Sequence, residues 1–249
     1  MQVRDLKLLK TKKGRDETGL FIIEGEKFVR EIPPQWRVVK YIAAQRYAKA
    51  HDIAEYESRA ECTVVRDSIF DSLADTVNPQ GLLAVCEKQV FGMSDLAGDF
   101  FLLGENFNDP GNIGALVRTA AAAGVTGIIL TAGSGDIYNA KVLRAAAGAV
   151  LRVPFVVDIT LQEAVASLRS LNIPIYAAHP RGQDTPYSLD LRGGTCILIG
   201  NESHGISREA ENLADGLVTL PMANSTESLN ASVAGSILMY EAVRQRMIS

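Results

Sequence analysis

Hydrophobic and polar positions along the chain change their rhythm near residue 100. Up to Cys86 the apolar stretches are short and alternate with polar ones, which predicts a small α/β unit. Its predicted strands are Leu20–Ile23, Arg37–Ala44, Cys62–Val65 and Gly81–Cys86, and its predicted helices are Glu26–Ile32, Ala48–Arg59 and Ile69–Ala74. Residues 87–99 lose this periodicity, so we predict two domains, at 1–92 and 93–249.

From Phe100 onward, short strands that are apolar on both faces alternate with longer helices. The predicted strands are Phe100–Leu103, Gly127–Leu130, Pro154–Val157, Ile173–Ala177, Cys196–Ile199 and Gly216–Leu220. The predicted helices are Asn112–Ala123, Asn139–Ala149, Leu161–Leu171, Ser207–Leu213 and Ser228–Met247. Strands of this kind are typical of a parallel sheet that helices cover on both faces. Right-handed crossovers between such strands predict a doubly wound α/β domain.

Composition narrows the class of protein. Of the 249 residues, 47% are hydrophobic and 22% are charged, which is typical of a globular domain. No apolar stretch is long enough to cross a membrane, and the N-terminus lacks the apolar core of a signal peptide. The three cysteines are too widely separated for a disulfide framework or a zinc site. We therefore expect a cytoplasmic protein that contacts no membrane and needs no metal.

The net charge of -4 conceals a basic N-terminal segment. Residues 1–40 contain ten Lys and Arg but only six Asp and Glu, so this segment carries +4 and the remainder -8. The cluster of Lys10, Lys12, Lys13 and Arg15 is suited to contact with a polyanion such as RNA. A solvated basic helix with no ligand would explain the same charges equally well.

Three loops at the predicted carboxyl ends of strands are rich in Gly, Asn, Glu and Ser, and such loops bind ligands in open α/β sheets. They are GENFNDPGNIG at 104–114, GNESHG at 200–205 and PMANSTESLNAS at 221–232. After the first loop, Arg118 lies one helical turn beyond Gly114 and is expected to reach back toward Asn112. Guanidinium, amide and helix N–H groups would then converge on a phosphate or a sugar hydroxyl. Alternatively, Asn112 caps the helix and Arg118 pairs with a surface acid.

The second and third loops add polar candidates. Gly200 would let a flat ligand approach the backbone, and Glu202 either accepts hydrogen bonds from that ligand or favours a helix N-terminus. His204 is read as an exposed loop residue. Ser228 is the predicted N-cap of the last helix, and Asn230, in its first turn, would face the same pocket. Neither the dinucleotide fingerprint GxGxxG nor the phosphate loop GxxxxGK[ST] occurs in the first loop.

In chain order, these loops resemble the three motifs of the SpoU/TrmH family, RNA 2′-O-ribose methyltransferases of the SPOUT superfamily. The matching residues are Asn106, Asn112, Gly114 and Arg118–Ala120, then Gly200, Glu202 and Gly205, then Pro221, Met222, Ser228–Asn230 and Ser232. This resemblance covers about residues 100–249. The stretch LFIIEGEKFVREI is similar to the L30e-like RNA-binding domain that precedes the catalytic domain in many family members.

The resemblance implies a C-terminal trefoil knot, an exception to the rule that chains do not knot, and S-adenosylmethionine as the cofactor. It implies cofactor contacts at Gly200, Leu220, Met222 and Leu229. Arg118 takes the position of the catalytic arginine, and the polar positions around the methyl acceptor fall on Asn112, Glu202, Ser228 and Asn230. Two departures, Ala121 after the first motif and Ala231 in the third, change no proposed catalytic side chain.

The resemblance also implies a homodimer that methylates a ribose 2′-hydroxyl in structured RNA. A separate N-terminal domain favours a 23S-type ribosomal RNA, because family members specific for tRNA more often use terminal extensions. Two alternatives remain open, a tRNA 2′-O-methyltransferase and a catalytically silent RNA-binding or ribosome assembly factor.

Overall fold

A computed structural model describes residues 3–224 and 226–248, and the chain forms two compact units. The first holds Met1–Gln89 together with Tyr138–Leu151, and the second holds Val90–Ile137 together with Arg152–Ser249. Each unit has a β-sheet of its own, with four strands in the first and six in the second. Among the helices that the model describes, none combines the length and the apolar character of a membrane span.

The first unit begins with a 3-10 helix, Val3–Lys10. It continues with α1 (Lys12–Thr18), β1 (Leu20–Glu24), α2 (Glu26–Arg30), β2 (Val38–Ala44), α3 (Gln45–Ala50), α4 (Ala54–Glu57), β3 (Glu61–Val65), α5 (Asp67–Leu73) and β4 (Leu82–Glu87). The strand order is β1-β4-β2-β3, in which β2 and β3 are parallel and the other pairs antiparallel. All four predicted strands of this region are therefore confirmed, each within one or two residues of its predicted bounds.

The predicted single helix Ala48–Arg59 is wrong, because two short helices, α3 and α4, replace it. His51 between them has an extended backbone, with φ -133° and ψ 148°. The Asp52 side chain accepts a hydrogen bond from the Ala54 N–H at 3.0 Å. Short polar side chains compete in this way with helical hydrogen bonds, and the chain consequently breaks and restarts here.

The helix predicted over Asn139–Ala149 is also shorter than expected. It is present as α7, Ala140–Ala145, followed by a 3-10 turn at Ala149–Leu151. Ala147 and Gly148 between them have positive φ angles of 49° and 80°. A right-handed helix cannot continue through left-handed residues, so α7 ends before them.

The second unit contains the long β-α repeats. Its elements are β5 (Phe100–Gly104), α6 (Pro110–Ala123), β6 (Gly127–Thr131), β7 (Phe155–Ile159), α8 (Leu161–Ser170), β8 (Ile175–Ala178), β9 (Thr195–Ile199), α9 (Arg208–Leu213), β10 (Gly216–Val218) and α10 (Ala231–Met247). All six strands pair in parallel, in the order β10-β8-β9-β5-β6-β7. The predicted α/β domain with a parallel sheet is confirmed.

Helices cover both faces of this sheet. On one face, Cys196 and Leu198 belong to a core cluster that includes residues of α8 and α9. Ile199 points to the opposite face, because side chains alternate along a strand. There a Cβ atom on Gly235 of α10 would lie only 3.1 Å from the Ile199 side chain, so glycine lets the helix approach the sheet closely.

The strand order positions the ligand site. The chain runs outward from β5 through β6 to β7 and then returns on the other side of β5 to form β8, β9 and β10. This reversal places β9 beside β5, and ligands bind outside the carboxyl ends of strands at such a switch point. The loops after β5 and β9, which carry the first two motifs, are therefore neighbours.

Candidate active site

The first loop enters α6 through a side-chain cap. Pro110 occupies the first turn of α6, and Oδ1 of Asp109 accepts a hydrogen bond from the Asn112 N–H at 2.8 Å. Asp109 is therefore the N-cap, and the alternative in which Asn112 caps this helix is wrong. Asn112 lies within the first turn, and its side-chain amide is available to other loops.

Asn112 joins the three loops. Its Nδ2 donates to Oε1 of Glu202 at 3.3 Å, and its Oδ1 accepts from Nδ2 of Asn230 at 3.0 Å. The same Glu202 oxygen accepts the backbone N–H of Asp109 at 3.2 Å. One predicted residue from each loop thus enters a single hydrogen-bonded network, although Asn112 and Asn230 are 118 residues apart. We call Asn112, Glu202, Asn230 and Ser232 the amide network.

The last helix begins at Ala231, three residues later than predicted. Its N-cap is Asn230, whose Oδ1 accepts the N–H groups of Ser232 at 2.9 Å and Val233 at 3.3 Å. The predicted capping role of Ser228 is therefore wrong. Ser228 lies exposed in the preceding loop and makes no side-chain hydrogen bond within the described part of the chain. Asn230 is preferred because its oxygen caps α10 while its nitrogen reaches Asn112.

Ser232 is a member of the amide network to which we assigned no role from the sequence. Its hydroxyl lies 3.2 Å from Oδ1 of Asn112 and 2.6 Å from Oδ1 of Asn230, so it can donate to either. The residue is only 7% exposed, and a buried hydroxyl without a partner would be costly. The sequence did contain one indication of this role, because Ser232 stands at the end of the third motif, two residues after the N-cap Asn230.

Arg118 stands outside the amide network. The side chain is exposed and has no hydrogen bond or ion pair with any residue that the structure describes. The alternative in which Arg118 pairs with a surface acid is therefore not supported, because no acid among the described residues forms an ion pair with it. A free guanidinium with five donors remains available to an external anion.

A cavity of about 610 Å³ opens at the carboxyl ends of β8, β9 and β10. All four residues predicted to contact the cofactor line it, namely Gly200, Leu220, Met222 and Leu229. Glu202, Ser228 and Asn230 also line it, whereas Asn112 and Arg118 do not. Its volume is in the range of pockets for small molecules, and Glu202 and Asn230 connect it to the amide network.

The backbone around Gly200 forms a tight loop. A Cβ atom on Gly200 would lie 2.2 Å from the carbonyl carbon of Gly205. Asn201 and Gly205 exchange two backbone hydrogen bonds of 2.9 and 2.8 Å, and Gly205 has a φ of 69°. Both glycines are thus required by the loop itself. Together with the exposed apolar side chains of Met222 and Leu229, this loop suits an adenosine-type ligand with a flat apolar base.

Glu105 braces the second loop against the first. Its carboxylate accepts the Ser207 N–H at 2.8 Å and the Ser207 hydroxyl at 2.6 Å. Nδ2 of Asn201 also donates to the Asn106 carbonyl at 3.0 Å. Ser207 in turn caps α9 through the Ala210 N–H. Sequence reasoning missed this pair, although an acid after β5 and a serine before α9 were visible signals.

The predicted RNA-binding cluster divides into two kinds of residue. Lys12 and Lys13 are exposed, and Lys13 lies 3.7 Å from Glu17. Lys10 donates from Nζ to the carbonyl groups of Ser72 at 3.2 Å and Ala74 at 2.8 Å. Those contacts occupy Lys10 at the end of α5.

Arg15 cannot contact RNA in this structure. It is 3% exposed, and its Nη1 donates to the Leu9 carbonyl at 2.7 Å. The prediction that placed Arg15 on the RNA surface is therefore corrected. The inward-facing guanidinium thus provides a hydrogen-bond donor for the buried Leu9 carbonyl.

The described residues include no cluster of three or more His, Cys, Asp or Glu side chains that could hold a metal ion. Burial raises the pKa of Cys86 to about 12 and also raises that of Cys196. Both thiols therefore stay protonated at neutral pH, whereas metals are bound by thiolates.

Two family models match the chain. The SpoU rRNA Methylase family matches residues 99–240, and the MRM3-like substrate binding domain matches residues 1–84. The first match covers all three loops of the site and more than half of the chain. The second covers the basic N-terminal segment.

Known relatives extend along nearly the whole chain. The 23S rRNA (guanosine(2553)-2′-O)-methyltransferase RlmP of Bacillus subtilis is 30% identical over 96% of this chain and 94% of its own length. The 23S rRNA (guanosine-2′-O-)-methyltransferase RlmB of Xanthomonas axonopodis pv. citri is 32% identical over 85% of this chain and 89% of its own.

A solved structure agrees with them. The SpoU methyltransferase AviRb from Streptomyces viridochromogenes, in complex with the cofactor AdoMet, superposes with a TM-score of 0.90 at 26% identity, covering 98% of this chain and 97% of its own. The resemblance predicted from the motifs is thereby confirmed. With its fold, its three loops and its matched family model, this chain belongs to the SpoU rRNA methylase family.

Proposed function

We propose that this enzyme transfers the methyl group of S-adenosylmethionine to a ribose 2′-hydroxyl of structured RNA, and specifically of a 23S-type ribosomal RNA. The observation that carries the proposal is the amide network at the edge of the cavity, which unites polar residues from all three family motifs. RlmP and RlmB, which are 23S rRNA methyltransferases and align with most of this chain, support the ribosomal substrate.

Gly200, Leu220, Met222 and Leu229 would hold the cofactor, because they line the cavity and combine compact backbone with apolar surface. When bound, S-adenosylmethionine supplies an electrophilic methyl group. Glu202 and Asn230 line the same cavity and hold Asn112, so the network fixes the orientation of polar groups where cavity and acceptor nucleotide meet. Such preorganisation replaces the hydration that the reacting groups lose.

Arg118 is the catalytic residue of the proposal. A ribose 2′-hydroxyl is a poor nucleophile at neutral pH and must lose its proton as it attacks. A guanidinium has no acceptor and cannot take that proton. Arg118 instead stabilises the developing alkoxide and clamps the adjacent phosphate of the RNA, which relays the proton. The exposure of Arg118, and its lack of a partner among the described residues, support this role.

In this proposal the first unit binds the RNA. Lys12 and Lys13 present exposed ammonium groups near the start of the region that matches a substrate-binding domain. Contacts of this type go to phosphates and carry no sequence information, so they raise affinity for any structured RNA. The division of the chain at residues 92 and 93 belongs to the same proposal.

The proposed assembly is a homodimer. Val233, Ile237 and Tyr240 of α10 are 46%, 37% and 51% exposed, and with Ala115 of α6 they line one apolar surface of the second unit. Such a face is suited to a two-fold partner of the same kind. The trefoil knot implied by the resemblance, and a cytoplasmic location where ribosomal RNA is available, complete the proposal.

The test is methylation in vitro with full-length protein, S-adenosylmethionine and transcripts of 23S rRNA and of tRNA. Mass spectrometry of nuclease digests should find one 2′-O-methylated nucleotide in the 23S transcript. Methylation of tRNA alone would favour the tRNA alternative. RNA binding without methylation of either transcript would favour the silent assembly factor. Arg118→Ala protein, which should bind cofactor but not react, is the negative control.

A further inference from the structure

The cavity carries a cation that the motifs do not account for. Arg181 lines it together with Gly200 and Leu220. Its side chain is exposed and has no hydrogen bond or ion pair with any residue in the described ranges. Arg118, the cation assigned to the RNA, is not part of the lining. An unpaired guanidinium inside a ligand cavity indicates an anionic group on the ligand.

The backbone holds Arg181 on a rigid turn. The Gly182 N–H donates to the His179 carbonyl at 3.1 Å, which closes the turn around Pro180 and Arg181. The His179 N–H donates to the Val218 carbonyl of β10 at 2.9 Å. A Cβ atom on Gly182 would lie 2.4 Å from the Leu217 carbonyl oxygen, so only glycine lets the turn lie against this strand. Arg181 is thus tied to the strand that leads into Leu220.

The acids of the cavity lining have neighbours other than Arg181. Nε2 of His179 lies 3.5 Å from Oε1 of Glu211. Nδ1 of His179 accepts the Arg181 N–H at 3.1 Å, which holds the ring next to the turn. Glu202 is likewise held by the amide network. None of the three acids that line the cavity, Glu202, Glu211 and Glu227, forms an ion pair with Arg181 within the described residues.

We infer that Arg181 binds the α-carboxylate of the amino-acid tail of the cofactor. The assignment rests on the proposed function. Of the groups that S-adenosylmethionine carries, only this carboxylate is anionic, and the guanidinium fork matches carboxylate geometry with two parallel hydrogen bonds. Arg181 lies in the cavity that contains the predicted cofactor contacts, and this favours the cofactor over an RNA phosphate as the source of the anion.

Calorimetry on the full chain tests the assignment with two probes. S-adenosylhomocysteine has the carboxylate, whereas 5′-methylthioadenosine keeps the nucleoside and lacks the amino acid. Arg181→Ala should weaken binding of S-adenosylhomocysteine about tenfold, the usual scale for a hydrogen bond to a charged group, and leave 5′-methylthioadenosine unchanged. Arg181→Lys should lose less, since it keeps the charge but not the fork. Arg208→Ala, which alters an exposed arginine outside the cavity lining, is the matched control and should bind like wild type.

Two outcomes would overturn the inference. One is an equal loss of affinity for both probes in Arg181→Ala, which would mean that the side chain only shapes the cavity. The other is wild-type affinity for S-adenosylhomocysteine with weaker binding of a 23S rRNA transcript, which would assign Arg181 to an RNA phosphate. Failure of the wild-type protein to bind either nucleoside would contradict the proposed function and remove the basis of this assignment with it.

Discussion

At the scale of single residues, Arg118 and Arg15 have opposite environments. Arg118 lies on a helix surface with no partner in the described chain, while Arg15 is buried against the Leu9 carbonyl. The first can act on a ligand, and the second can only stabilise the fold. Their substitution should therefore change different measurements.

Replacement of Arg118 should lower turnover strongly and leave cofactor binding unchanged. Arg118→Ala removes charge needed only as the alkoxide forms, so turnover should fall by about two to three orders of magnitude, as for a lost oxyanion donor. Arg118→Lys should also be strongly impaired, because a single ammonium lacks the bidentate fork. Single-turnover methylation beside calorimetry with S-adenosylhomocysteine measures both effects. Normal turnover in Arg118→Ala would refute the catalytic assignment.

The basic N-terminal residues should separate RNA affinity from stability. The double variant Lys12→Ala, Lys13→Ala should weaken RNA binding and lower the salt slope of log K by about one unit per lost phosphate contact. Turnover at saturating RNA should persist.

Arg15→Ala should instead lower the free energy of unfolding, because it leaves a buried carbonyl without its hydrogen-bond donor. Filter binding at several salt concentrations measures RNA affinity, and urea denaturation measures stability. If the Lys12→Ala, Lys13→Ala variant bound RNA like wild type, the two lysines would only be solvated residues of a surface helix.

At the scale of elements, both ends of α10 are hydrogen-bonded to other segments of the second unit. Its first residue follows Asn230, which ties the helix to α6 through Asn112. Near its last turn, Gln245 donates to the carbonyls of Pro186 and Leu189 at 3.3 and 3.0 Å and accepts the Leu191 N–H at 2.8 Å. The helix therefore secures the segment before β9 as well as the catalytic loops.

Loss of the Gln245 amide should destabilise the second unit. Gln245→Ala leaves several backbone groups of the segment 186–191 without partners, at a cost of about 1–3 kcal/mol in the free energy of unfolding. Urea denaturation monitored by circular dichroism measures it. Gln183→Ala is the control, since that side chain is exposed and has no hydrogen bond in the described chain. Equal stability of the two variants would show that solvent replaces these contacts.

The contact between Glu105 and Ser207, which joins the first two loops, should affect cofactor affinity. Glu105→Gln keeps the shape of the side chain but loses the charge that attracts both Ser207 donors. We expect S-adenosylhomocysteine to bind about three- to tenfold more weakly, because an exposed charge-assisted pair contributes about 1 kcal/mol. Glu57→Gln on an exposed helix of the first unit is the control. Unchanged affinity would limit Glu105 to a role in folding.

At the scale of the whole molecule, the strand order brings the three motifs together. The reversal at β5 puts β9 next to it, so loops nearly a hundred residues apart close on one amide network. Val233, Ile237 and Tyr240 of α10 form an exposed apolar surface of the second unit, and this surface supports the proposed dimer.

Disruption of that surface should give a monomer. Tyr240→Asp buries a charge in any interface formed by α10, which costs several kcal/mol and should prevent association at micromolar concentration. Tyr187→Asp alters an equally exposed tyrosine outside this surface and should leave assembly unchanged. Light scattering measures the mass. A wild-type monomer would contradict the proposed dimer, and a Tyr240→Asp protein that stays dimeric would contradict the interface on α10.

Strands and chemistry could be predicted from the sequence because both depend on local pattern. Runs that are apolar on both faces, such as Phe100–Leu103 and Cys196–Ile199, can only be buried strands of a covered sheet or buried helices, and their length selects strands. The three polar motifs indicated the family, because their residue types, spacings and order along the chain match the motifs of SpoU/TrmH methyltransferases.

Only the tertiary structure decided which side chains meet. Ser228 and Asn230 are equally good N-caps by local preference, and the contact with Asn112, 118 residues away, selects Asn230. The burial of Arg15, and the lack of a partner for Arg181 among the described residues, depend likewise on how the elements pack around each side chain. Local pattern determines which elements form, whereas hydrogen-bond partners are chosen by packing among elements that the pattern does not encode.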